Sequence, residues 1–312
     1  MTGCLLLLCA LGTAAAVPVA RALGRAVWPE REPVLGLWVW QCLVVTVLLS
    51  GLAALGLCAA TAFRTVREQL IDSVPSGVAT ADKLSSAPLW AMALAVLLAA
   101  GVAWTAAALA RHFWVVRRAR REARARLGER APELPTGLPA CSGPLLVLEE
   151  ESPGAWWLPG SPSRLVVTTG ALRRLTDRQL DAVLTHERSH ARARHDWLMQ
   201  LSAALAVGFA KVPLFVHFCE RTHRLVELAA DDTAARRCGH VTTALALIEL
   251  NRHRGVFSRA VGRRLLADRV DRLLAPPPRL VPWKRTLIAT AAAAAPLMPP
   301  LIAFASGIEA PG

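Results

Sequence analysis

Residues 186–190 read HERSH, two histidines four positions apart with a glutamate beside the first. On a helix this spacing leaves the two imidazoles about 40° apart on one face, so both can reach a single ion. Thr176 and Gln179 form a capping-box pattern, which predicts a helix that starts near Asp177 and runs through His190. Leu180, Val183 and Leu184 make an apolar stripe that leads to Glu187. A carboxylate on such a face is costly unless it is paired or coordinated. The competing reading is a chance cluster on a basic surface helix, favoured by the ARARH that follows.

A catalytic zinc site takes three protein ligands and keeps one position open for water. His195 lies five residues past His190, about 140° around a continuous helix. Glu227 is the better third candidate. It stands in RLVELAADDTAARRCG, a stretch of helical spacing that closes with Arg236, Arg237 and Gly239. Asp231 falls one turn later, where it can accept the second ring proton of a ligating histidine. His223 lies one turn earlier on the same face. Leu228, Ala229 and Ala230 between the acids argue for partial burial, against the plain reading of a solvated acidic face.

The elements that must position these residues begin after a linker rich in Pro and Gly, APELPTGLPACSGP. Strands are expected at LLVLEEE from 145, AWWLPG from 155 and RLVVTT from 164, the last two joined by a hairpin turn at Pro159, Gly160 and Pro162. Trp197 to Ala210 is uncharged and too short to span a bilayer; a buried core helix is preferred there to an interfacial segment.

Around this region the chain reads as membrane protein: 54% of residues are apolar and the mean hydropathy is +0.38. Four uncharged stretches have the length of spans: Gly3 to Ala20, Val34 to Phe63, Ala87 to Ala110 and Thr286 to Ile308. The prolines of AAAAAPLMPP should kink or break the last. The first lacks the positive n-region of a signal peptide and is expected to stay attached. Arg21, Arg25 and Arg31, the run RHFWVVRRARREARARLGER and the WKR before the last span all fall on one side if four helices alternate. Positive loops stay cytoplasmic, which puts residues 111–285 in the cytoplasm and leaves Arg64 to Ser86 outside. The net charge of +13 is concentrated in these juxtamembrane runs, with no recognisable nucleic-acid module beside them. Seven cysteines without a C-x-x-C pair are no disulfide framework. The expected division is residues 1–110 as three transmembrane helices, 111–140 as a basic juxtamembrane linker, 141–281 as the metal domain, and 282–312 as the final helix and tail.

These motifs resemble those of integral-membrane gluzincin zinc peptidases, in which H-E-x-x-H is followed by E-x-x-A-D: here HERSH and ELAAD, with Arg224 matching an arginine three before the glutamate. The nearest resemblance is to the β-lactam sensor-transducers, with heat-shock and CAAX-prenyl zinc proteases more distant, and it covers roughly residues 140–275. It implies a mostly α membrane protein with an α+β peptidase domain inserted between the third and fourth of four spans. His186, His190 and Glu227 would bind Zn2+, and Glu187 would act as catalytic base on zinc-activated water. His223 or Arg224 would stabilise the oxyanion. GAWWLPG and VVTTGAL resemble the family's edge strand and the lead into its zinc helix, which would set Trp156 and Trp157 along the substrate, although Gly154 stands where relatives carry asparagine; the plain reading of these tryptophans is core. The sensors carry a penicillin-binding domain after the last span, and the chain here ends at Gly312, so β-lactam sensing by that route is not expected. The resemblance implies a cytoplasmic protein substrate, with a transcriptional repressor as one candidate, cut in signal transduction. The alternatives are a non-catalytic membrane signalling component and a membrane-tethered nucleic-acid binder.

Overall fold

The structure is a computed structural model that describes residues 2–71, most of 100–125, 145–158, 164–252 and 260–308. Residues 87–99 of the expected third span, 126–140 of the linker and the turn at 159–163 lie outside the described residues. Among those described, three helices are long and apolar enough to cross a membrane: Gly3–Arg25, Pro33–Ala60 and Pro282–Ala305. The first runs past its expected end at Ala20. It absorbs Pro18 in a π-helical turn, Ala15–Val19, whose wider winding relieves the clash and the missing N–H of proline. In the last span the expected break is one 3-10 turn, Ala295–Leu297, after which helix resumes at Met298.

Between the second and last spans lies a sheet of order β1-β3-β2: β1 (Leu145–Leu148) pairs parallel with β3 (Arg164–Thr168), and β2 (Ala155–Leu158) pairs antiparallel with it. Among the described residues β2 is therefore an edge. A motif helix, Asp177–Arg192, follows, with both capping-box bonds in place between Thr176 and Gln179. Its Val183 and Leu184 are buried and its Leu180 partly so, against Ala155, Leu165 and Val167 of the sheet. That is the stripe read from the sequence.

The motif helix stops because Arg194 takes a left-handed conformation, φ 51° and ψ 39°, which starts a new helix, His195–Gly208, at once. A long glutamate helix, Pro213–Cys238, begins with proline at its first position and ends at Gly239, φ 93°. An arginine helix, Ala260–Leu274, completes the part that matters for the site.

The apolar run 197–210 does enter a core, but not that of the sheet. Leu205 joins Leu214, Phe215 and Phe218 in a cluster with Ala15, Ala16 and Ala20 of the first membrane helix and Leu37, Trp40, Leu43 and Val44 of the second. Membrane helices and metal domain thus share one core across the boundary expected near residue 110.

Gly170 donates its N–H to the Glu150 carbonyl at 2.8 Å, and a Cβ there would overlap the Glu151 carbonyl. The obstacle is backbone, so relief requires moving the β1–β2 connection. Gly170→Ala is expected to cost about 1–3 kcal/mol, read as a lower apparent melting temperature of the detergent-solubilised protein; an unchanged value would show that the connection moves freely.

Candidate metal centre

The motif helix lies against the glutamate helix so that three donors face one another. The Nε2 atoms of His186 and His190 are 3.1 Å apart. Glu227 Oε2 lies 3.6 Å from His186 Nε2, and Glu227 Oε1 lies 3.6 Å from His190 Nε2. A tetrahedral ion with donors at 2.0–2.1 Å separates them by about 3.4 Å. The three donor atoms, all within 4.8 Å of one another, therefore have the dimensions of three corners of a zinc tetrahedron.

Each imidazole is held from behind. Asp231, fully buried, sets Oδ1 3.0 Å from His186 Nδ1, as its place one turn past Glu227 suggested. His190 Nδ1 faces not a carboxylate but the Nδ1 of buried His195, 3.2 Å away. The continuous-helix argument placed His195 on another face; the left-handed turn at Arg194 folds it back. Arg269 was not anticipated. It donates Nε–H and Nη2–H to the two oxygens of Asp231, both at 2.7 Å, and its Nη1 lies 2.9 Å from Glu227 Oε2. This leaves Oε1 as the less committed oxygen of Glu227.

The electrostatics follow from these contacts. Burial opposes a charge on His186, but hydrogen bonds and charge from Asp231 and Glu227 outweigh it and raise its pKa to about 9. Burial and the neighbouring His186 charge lower that of His190 to about 4. The close Nε2 pair thus joins His186, which favours holding a proton, to His190, which favours the neutral form. Burial of Glu227 is likewise outweighed, by His186 and Arg269, which hold the carboxyl well below its usual range. A divalent cation would replace that proton and, with Arg269, balance Glu187, Glu227 and Asp231.

Glu187 turns toward the sheet, where its Oε2 accepts the Trp157 N–H at 3.0 Å. The Trp157 backbone thus faces the open edge of β2, away from β3. Its partly buried side chain packs against the sheet core, and its hydrogen bond with Glu187 is through the backbone. Trp156, half-buried, belongs to the next position of the strand.

Of the two oxyanion candidates, Arg224 is committed elsewhere: it donates Nη2–H to Glu30 at 3.0 Å and Nη1–H to Asp268 at 3.2 Å. Glu30 sits between the first two membrane helices, a residue no motif singled out. Exposed His223 lines a cavity of about 710 Å³ together with Glu30, Glu227, Leu265 and Arg269. On the other side of the donors a smaller space, about 110 Å³, is lined by Ala155, His186, Glu187 and Asp231.

Compared with models of known families, residues 144–275 match Peptidase family M48. No curated protein matches the chain. The match spans the sheet, both histidines, Glu227 and Arg269, and with the donor cluster it supports a zinc metallopeptidase domain in a chain whose three apolar helices fit a membrane protein.

Metal uptake must displace the proton that His186 carries below about pH 9. Apparent zinc affinity should therefore climb roughly tenfold per unit as pH rises from about 6 to 8 and level off above the His186 pKa; chelator competition across this range checks it, and a flat profile would contradict it. His195→Phe removes the acceptor behind His190 and should weaken zinc binding about 10- to 100-fold. His195→Gln retains an acceptor and should lose much less. Equal losses in the two variants would deny His195 this part.

Proposed function

We propose that the protein is a multi-pass, membrane-anchored zinc endopeptidase that cleaves a protein substrate on the cytoplasmic side, in regulated proteolysis. The observation that carries the reading is the convergence of His186, His190 and Glu227 beside Glu187 at the open edge of β2. The three donors would hold Zn2+, which when bound supplies a Lewis acid and an acidic water.

The rest is the work of this chain's own groups. The outward N–H groups of β2 offer an extended polypeptide a strand to pair with. Binding there would take the Trp157 N–H away from Glu187 and free its Oε2 to accept a proton from the attacking water and pass it to the leaving amine. Asp231 and His195 keep the Nδ1 protons of His186 and His190 turned outward, so that both Nε2 lone pairs face inward. His223, which lines the cavity one turn before Glu227, is the group proposed to steady the oxyanion, since Arg224 is paired with Glu30 and Asp268.

The cytoplasmic side is supported by the charges where the spans meet the domain. Arg25 and Arg31 lie in the first connection, Lys284 and Arg285 begin the last span, and Arg285 reaches Glu32 at 3.6 Å, which places these residues together. A regulatory substrate, such as a transcriptional repressor, is supported by the resemblance to sensor-transducers alone.

Glu187→Gln tests the reading. The variant should retain one zinc per chain and lose cleavage of a labelled unfolded protein such as casein by about 10²- to 10⁴-fold. Full cleavage by the zinc-loaded variant would remove Glu187 from the chemistry, and absence of cleavage by zinc-loaded wild type would favour the non-catalytic signalling component.

A further inference from the structure

The helix His195–Gly208 and the first two turns of the glutamate helix form a hairpin joined at Phe209–Val212. Its depth is set by neighbours. Arg221 donates a hydrogen bond to the Gly24 carbonyl, near the domain end of the first span. One turn earlier the His217 ring lies beside Gly24, 3.8 Å from where a Cβ would stand. From Arg221 back to Pro213 is eight residues, about 12 Å of helix; with Arg221 and His217 at Gly24 and the same helix also in contact with Ala15–Val19, it runs in the same chain direction as the first span. The tip of the hairpin therefore lies level with Ala15 and Ala16, nine residues inside the span from Gly24.

The inner face of the hairpin is the shared core with Ala15, Ala16, Trp40 and Val44. The outer face is apolar and largely exposed among the described residues: Trp197, whose ring meets that of Phe113 at 6.4 Å, is 54% exposed, Leu201 43% and Val207 61%. No residue from Trp197 to Ala210 is charged. Whatever medium surrounds the middle of the first two spans must also meet this face, because the hairpin is packed against them at the same level. Along its two helices the backbone bonds are closed internally, as hydrocarbon requires, and in the connection Phe209 N–H donates to the Leu205 carbonyl and Val212 N–H to the Phe209 carbonyl.

We infer that residues 197–218 form a re-entrant hairpin that enters the membrane from the domain side and turns back near its middle, with Trp197, Leu201 and Val207 in contact with lipid acyl chains. The inference rests on the reading of Gly3–Arg25 and Pro33–Ala60 as membrane spans. Lys211, exposed at the tip, is the one charge carried in, and its long stem lets the ammonium lean toward polar surroundings. The arrangement also sets the height of the metal centre. Glu227 is six residues beyond Arg221, about 9 Å farther from the bilayer middle than the Gly24 level, which puts His186, His190 and Glu227 in the headgroup layer and not in open cytosol.

The test uses the full chain with its seven cysteines replaced, reconstituted in nanodiscs of phosphatidylcholine and phosphatidylglycerol. A nitroxide is attached to Val207→Cys, to Leu201→Cys, to Leu48→Cys in the second span and to Val241→Cys on the exposed domain surface. Relaxation by oxygen and by a water-soluble nickel chelate is then compared, with zinc binding verifying that each variant is folded. The labels at 207 and 201 are expected to match 48, with frequent oxygen collisions and nickel collisions at least tenfold rarer than at 241. If 207 and 201 instead match 241 while 48 stays shielded from nickel, the spans stand and the hairpin is overturned. Nickel access at 48 as well would overturn the hairpin together with the membrane reading on which it rests.

Discussion

Arg269 is the residue on which the geometry of the centre depends. Two carboxylates, Asp231 and Glu227, approach the same histidine from the same helix one turn apart, an arrangement that self-repulsion would open if it were unbalanced. One guanidinium spans both, with its fork on Asp231 and its remaining nitrogen on Glu227. Its planar, permanently charged geometry suits that task, and a lysine could not make the same three contacts. Because the group is largely withdrawn from water, removing it would leave buried negative charge without a partner, which is far costlier than losing a surface ion pair.

The same two helices carry a second layer of pairing on the side of the connection between the first two apolar helices. Arg272 grips Asp232 through both terminal nitrogens, at 2.6 and 3.1 Å, and donates its Nε–H to the Glu30 carbonyl at 3.0 Å. Arg221 and Arg224 hold the Glu30 side chain. The short connection between the first two membrane helices is thus tied to the glutamate helix, three and six residues before Glu227, and to the arginine helix, three residues after Arg269. Gly36, at the start of the second span, tightens the same junction by letting that helix approach Pro29 and Leu225 more closely than a Cβ would allow.

Much of this could be read locally. The capping box at Thr176, the stripe of Val183 and Leu184, the glycine stop at Gly239, the short apolar runs of β2 and β3 and the apolar length of the spans are properties of neighbouring residues. Chain geometry alone turns them into helix, strand and turn. Glu227 and Asp231 followed by the same means, since their spacing on one helix requires no knowledge of what packs against it. Local reading stops where the chain reverses or a partner lies far off: the left-handed turn at Arg194 brings His195 behind His190, and Arg224 pairs with Glu30 and Asp268.

The sequence by itself thus determined the donor types, their order on two helices and the membrane character of the chain, because periodicity and side-chain chemistry are short-range. Only the tertiary structure decided that Arg269 would clasp both acids, that His195 would stand behind His190, that Glu30 would occupy Arg224, and that the run from Trp197 would pack on membrane helices instead of the sheet. Each of these contacts depends on a single reversal, such as the one at Arg194, or on how helices distant in the chain settle against one another. Packing of that kind is resolved by the whole core at once and leaves no periodic trace along the chain.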